Sequence, residues 1–143
     1  PHQESIRVPL IIRDPRMNEK HHGSTNDDFT LSVDLATTIL GAANLPPAPR
    51  MQGRDIAEIY LDKIQDWRKE FFYEHPEHIQ IPASTALVRK EWKYMRWPGF
   101  GQEQLFHLPT DPHELNDLFK TYDNSSLLQE MRARHDELQA EAL

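Results

Sequence analysis

Residues 105–118, LFHLPTDPHELNDL, bring His107, Asp111, His113, Glu114, Asn116 and Asp117 together beside two prolines. Carboxylates next to imidazoles are the raw material of acid–base catalysis or of a metal site, so His107, Asp111, His113 and Glu114 are candidates for either. The spacing speaks against both. His113 and Glu114 are neighbours on a turn, so their side chains diverge, and no HExxH or other ligand spacing is present. A backbone reading accounts for more of the stretch. Asp111-Pro112 signals a type I turn, because Pro fixes φ and Asp accepts from the backbone beyond it. Asn116 is predicted to cap a turn over 117–120. Glu114 is then free to reach Lys93 or Arg96.

The other polar clusters divide in the same way. His21-His22 with Asp27 and Asp28 has the composition of a metal site, but adjacent histidines in a polar loop chelate poorly, and a surface loop is expected. Trp92 and Trp97 are predicted to pack on a sheet face rather than to form a carbohydrate platform. Arg7 and Arg13 are expected to pair with local acids.

These groups need elements to position them. Ile6–Arg13, IRVPLIIR, is β-branched and apolar and predicts a buried strand, with Pro9 favouring an edge or irregular position. Residues 14–30 form a polar loop. Ser32 is predicted to cap a helix whose apolar face is Leu35, Ala36, Ile39, Leu40 and Ala43. LPPAPRMQG ends that helix, and a subdomain boundary is placed near residue 56. A short, broken helix follows in DIAEIYLDKIQDWRK. Four strands are expected over 69–74, 86–91, 92–97 and 104–108. In the third, Trp92, Tyr94 and Arg96 share one face and Lys93, Met95 and Trp97 the other, which argues for an antiparallel meander. A final helix over 124–143 carries the stripe Leu127, Leu128, Met131, His135, Leu138 and Ala142, with Ser126 and Gln129 at capping-box spacing.

Composition excludes several functions. The chain has 143 residues, 38% hydrophobic and 27% charged, with net charge −7 from 23 acidic and 16 basic residues. That balance does not favour phosphate backbones, so no nucleic-acid partner is expected. No apolar run approaches the roughly 20 residues that span a bilayer, and no membrane partner is expected. The absence of cysteine removes disulfides, thiolate metal sites and cysteine nucleophiles. A start almost inside a strand predicts a piece of a longer protein.

Taken in order, ESIRVPLIIRDPR, VDLATTILGAANLPPAPRMQGRDI, WRKEFFYEHP, ALVRKEWKYMRWP and QLFHLPTDPHELNDL with a terminal amphipathic helix resemble the C-terminal part of the sulfatase family. These are the sulfuric ester hydrolases of the alkaline-phosphatase-like superfamily. Pro1–Glu4, PHQE, stands where the family more usually has PYEE. The resemblance implies an α+β fold: a four-stranded antiparallel sheet packed on a C-terminal helix, preceded by a strand–helix piece of the large α/β domain. Residues 1–56 would end the catalytic domain, and residues 57–143 would form the C-terminal subdomain.

The family reaction, as the resemblance implies it, hydrolyses a sulfate ester. It uses a formylglycine made in a C/S-x-P-x-R motif, a divalent metal, usually calcium, and Lys and His side chains that neutralise sulfate and protonate the leaving group. Ser32-Val-Asp and Ser84-Thr-Ala lack the Pro of that motif, and the family's metal and lysine motifs precede ESIRVP. No catalytic residue, metal ligand or cofactor is therefore expected in this chain, with calcium expected in the full-length parent, itself periplasmic or secreted. The resemblance brings the segment around His75 and Glu74 near the substrate pocket. There His75 would donate to sulfate or a sugar hydroxyl and Glu74 would accept. The alternative is a solvated strand end. Arg89 matches a family arginine that would face the pocket or pair with Glu74 or Glu114. The expected partners are an N-terminal catalytic domain and a sulfated substrate, with self-association through an exposed sheet edge.

A free-standing, non-catalytic binding module is the competing reading, and a small metalloprotein is the third. A module should cover its own apolar surface, whereas part of a larger sulfatase should leave some bare.

Overall fold

The computed structural model describes residues 1–142. Backbone contacts divide them into two compact units: Pro1–Pro9 with residues 70–142, and Leu10–Lys69. The expected boundary near residue 56 is a statement about a longer parent. Within this chain the units divide near residues 9 and 69.

The first unit is built on β1 (Glu70–His75), β2 (Ser84–Arg89), β3 (Trp92–Trp97) and β4 (Gln102–His107), an antiparallel sheet in the order β1-β2-β3-β4. The strands follow their aromatic and β-branched content. β2 and β4 each begin two residues earlier than the sequence suggests. Cross-strand register lines up Phe72, Leu87, Tyr94 and Leu105 in one row. Leu87, Tyr94 and Leu105 form a core with Leu128 and Met131 of the terminal helix, α4 (Ser126–Ala142). The alternate row is Phe71, Val88, Lys93 and Phe106. A lysine there, fully buried among apolar neighbours, is the sheet's most costly residue. Between β3 and β4 a short 3-10 turn, Pro98–Phe100, ends at Gly101, whose φ of 59° is a left-handed conformation that glycine adopts without strain.

The cap of α4 lies one residue earlier than the capping-box spacing suggests: the Leu128 N–H donates to Ser125 Oγ at 3.1 Å. Around the apolar contact runs a rim of ion pairs. Arg134 donates to Glu70 at 2.5 Å and Arg132 to Glu103 at 2.7 Å, and Arg96 pairs with Asp136.

The amino-terminal residues are a correction. Gln3–Ile6 form a single helical turn, α1, and residues 7–13 join no strand among the described residues. A strand exists through its ladder, and β1–β4 satisfy one another without taking this segment as a neighbour. Val8, Leu10 and Ile11 remain exposed, Ile11 by 93%.

In the second unit, α2 (Ser32–Ala42) turns a different face inward from the one its apolar spacing suggests. Its buried residues are Asp34 and Thr37, while Val33, Leu35 and Ile39 are exposed, Ile39 by 68%. The reason is polar. Asp34 Oδ2 accepts from the Leu31 N–H at 2.7 Å and Oδ1 from the Arg54 N–H at 2.8 Å, and Arg68 pairs with the same carboxylate. Burial alone would raise the Asp34 carboxyl, but hydrogen bonds from Arg68, Arg54 and Leu31 hold it below its ordinary value. Asp34 thus reaches back to Leu31, and Ser32 lies inside the helix rather than at its cap. Of the short, broken helix expected over 55–69 only one turn forms, α3 (Ala57–Tyr60), and Ile56, Ala57 and Tyr60 pack with Ile12 and Met17.

Candidate functional site

The DPHE stretch forms its turn as expected. The Glu114 N–H donates to Asp111 O at 3.1 Å, and the Asp111 carboxylate accepts from the Leu115 and Asn116 N–H groups at 3.0 and 2.8 Å. These bonds hold the Asp111 carboxyl below its ordinary value. Asp117, not Asn116, serves the following turn, accepting from the Phe119 N–H at 2.9 Å and from the Leu105 N–H of β4 at 3.0 Å. The four candidates of an acid–base or metal site are dispersed. His107 Nδ1 lies 2.8 Å from Thr110 Oγ1, with its ring against Trp92. His113 faces Glu4 at 3.4 Å on the surface. Glu114 turns inward to Lys93, Oε1 to Nζ at 2.6 Å.

Of the partners expected for Glu114, namely Lys93, Arg96 and Arg89, it is Lys93 that it meets. What the sequence does not signal is the third side of this cluster. Glu114 Oε2 accepts from the Gln3 N–H at 2.8 Å and stands 3.0 Å from His2 Nδ1. Those contacts join residues more than a hundred positions apart, and no local pattern encodes them.

Glu74 and His75 end β1, opposite Thr85 and Ser84 of β2. As neighbours on a strand they point to opposite faces, so they cannot grip one group together from the same side. Glu74 is exposed, and Nε2 of half-buried His75 is buried without a hydrogen-bond partner. Arg89 belongs to another group. It lies directly across from Glu70, donates to it at 2.8 Å and to Glu130 at 2.7 Å. Its partners are therefore neither of the two expected, Glu74 and Glu114. Burial would push the Glu70 carboxyl up, but hydrogen bonds from Arg134 and Arg89 hold it down.

His21 pairs with Asp62 at 3.0 Å, where Asn18 and Lys20 also bind, rather than with Asp27 or Asp28. Hydrogen bonds from Lys20, then His21 and Asn18, bring the Asp62 carboxyl to about 2. Trp92 packs on Tyr122, and Trp97 Nε1 donates to Gln104 Oε1 at 2.7 Å, both in sheet-packing roles. Among the described residues no three His, Cys, Asp or Glu side chains stand close enough to hold a metal ion, so no set of them fits the calcium the family resemblance implies.

Residues 1–141 match the family model described as N-sulphoglucosamine sulphohydrolase, C-terminal. The chain belongs to that family. The chain is similar to an N-acetylglucosamine-6-O-sulfatase of Bacteroides thetaiotaomicron, 26% identical over 82% of the chain and 22% of the relative. It is also similar to an arylsulfatase of Clostridium perfringens, 26% identical over 92% of the chain and 27% of the relative. A solved structure of a protein in complex with its substrate D-glucosamine-2-N,6-O-disulfate shares the fold with a TM-score of 0.74, at 21% identity over 82% of this chain and 25% of that one. The chain thus spans about a quarter of the length of the curated relatives it matches. The sheet-on-helix architecture expected from the sequence is the one found.

Proposed function

We propose that this domain is the C-terminal part of an enzyme that hydrolyses sulfate esters, where it supplies scaffold and one wall of the substrate cleft while the bond-breaking groups reside on other polypeptide. The observation that carries this reading is the bare apolar surface. Ile11 with Val8 in the unpaired segment, and Ile39 with Leu35 on α2, are exposed at positions whose spacing is that of buried elements. A self-sufficient binding module would cover such surface. In the parent, residues 1–56 would complete the large α/β layer, and residues 57–143 would form the smaller subdomain.

Within that reading His75 is the substrate contact of first choice. A buried imidazole nitrogen without a partner is costly, and a sulfate oxygen or sugar hydroxyl would satisfy it. Glu74, exposed on the other face of the strand, would accept from a second hydroxyl only if the substrate reaches past the strand end. Arg89, committed to Glu70 and Glu130, would hold β1 and β2 in place. A sulfated sugar is the substrate class of this reading, supported by the likeness to the N-acetylglucosamine-6-O-sulfatase and to the protein solved with a glucosamine disulfate. Hydrolysis itself requires a nucleophile and concentrated positive charge at the sulfuryl group, which in the parent would come from a formylglycine, calcium and cationic side chains outside this chain.

The test is made in the full-length parent. His75→Ala is expected to raise KM for a sulfated glucosamine about tenfold with kcat little changed. An unchanged KM removes His75 from the cleft. The present chain, incubated with an aryl sulfate and calcium, is expected to show no turnover above blank. Turnover that survives repurification would overturn the assignment of the chemistry to other polypeptide.

A further inference from the structure

We infer that Lys93 and Glu114 form a buried clamp that holds Pro1–Ile6 on the sheet, so that docking of this segment depends on formation of the DPHE turn. Both side chains are 0% exposed. A buried ion pair is a weak way to gain stability, because desolvation cancels much of the attraction. What this pair does hold is specific. Lys93 Nζ donates to the Pro1 carbonyl, and Glu114 Oε2 takes the Gln3 N–H and faces His2 Nδ1. Apart from their contact with each other, every one of these partners lies on the first three residues. His2 extends the contact by setting its ring near Phe106 and Trp97, at 6.1 and 6.5 Å between centroids.

The backbone at Glu114 supports the same role. Its φ is 56°, a left-handed conformation unusual for a residue with a side chain. Glycine would relieve the strain but would remove the carboxylate. Asp111, accepting from the two N–H groups that follow Glu114, keeps the turn in that conformation. At Glu114 this backbone conformation is what brings the carboxylate to a buried ammonium and a distant backbone amide at once.

Amide hydrogen exchange on the whole chain tests the clamp. The reporters are the N–H groups of Gln3, Ser5, Ile6 and Arg7, which donate to Glu114 Oε2, to the His2 carbonyl twice and to the Gln3 carbonyl. Glu114→Gln is expected to speed exchange at these sites by about 10- to 100-fold, while the β2 and β3 amides change by less than about threefold. Trypsin cleavage after Arg7 should accelerate in parallel. His2→Ala, which removes one contact from a side chain 43% exposed, should give a smaller rise confined to the same amides. Equal acceleration across the sheet would show a general stabiliser and overturn the clamp, as would no change at Gln3–Arg7. If Glu114→Gln does not fold, the double variant Lys93→Met/Glu114→Leu replaces the pair with apolar side chains of similar volume. It is expected to keep β2 and β3 protected and to release the segment. Continued protection of the segment in that variant would overturn the proposal.

Discussion

His135 occupies a position built for an apolar side chain. It sits on the buried stripe of α4, fully enclosed, with Phe72 and Tyr94 edge-on to its ring at 5.2 and 5.4 Å. Nε2 meets Thr85 Oγ1 at 2.9 Å, and Nδ1 lies 3.5 Å from Asp136. Burial, followed by the field of Arg96, lowers its pKa despite Asp136 and Glu103. The unfolded chain therefore takes up this proton at a higher pH than the folded one, and folding stability is lost as pH falls below the ordinary histidine value of about 6.5. Glu70 and Glu103, both held low in spite of burial by their arginine partners, add a second loss below their ordinary range. Thermal unfolding followed from pH 8 to 3 should show two descents. His135→Gln should remove the upper one and leave the lower. The sequence placed His135 correctly on the stripe, because helical spacing assigns a face whatever the residue type. The partners of Glu114, Arg89 and His21 were less legible, since opposite charges abound and only the tertiary register selects among them. Arg89→Ala should cost about 1 kcal/mol, as the pair with Glu70 is roughly a quarter exposed.

At the level of elements, the meander and the terminal helix were legible, and α2 was legible only as a helix. β3 came out at its expected bounds because period-two alternation with aromatic residues has one interpretation in a half-buried strand. In α2 the hydrophobic periodicity was real, but the buried face is set by Asp34, whose carboxylate binds the backbone of residues 31 and 54 and the side chain of Arg68. Asp34→Ala should therefore cost about 3–5 kcal/mol, since it leaves Arg68 buried without its partner. Chemical denaturation of the unit 10–69 would measure it. Gly53 closes the same contact. A Cβ there would lie 2.0 Å from the Val33 carbonyl oxygen and 2.9 Å from Thr37 Oγ1. Gly53→Ala should cost about 1–3 kcal/mol by forcing loop and helix apart.

For the whole molecule, the exposed apolar residues separate two states of the protein. In the chain alone, Ile11→Glu with Ile39→Glu should alter stability by no more than about 0.5 kcal/mol, as expected for surface positions. It should also reduce concentration-dependent association measured by sedimentation. In the full-length parent the same substitutions should lower Tm and yield if, as proposed, these positions are covered there. Equal behaviour in both contexts would mean that the surface is free in the parent as well. Residues 6–13 have the composition of a buried strand, but a ladder needs a neighbouring strand, and none of the described residues supplies one.

The strands pair in the order in which they are made, so each ladder closes a short loop at small entropic cost. Pro1–Pro9 reach the same unit only across the whole of Leu10–Lys69. On a ribosome the consequence is a wait. Gln3 and its acceptor Glu114 are 111 residues apart, which at the usual pace of synthesis is a delay of about 5–20 s. During that interval residues 1–9 have no dock, and a chaperone would find Val8 among them as open apolar surface.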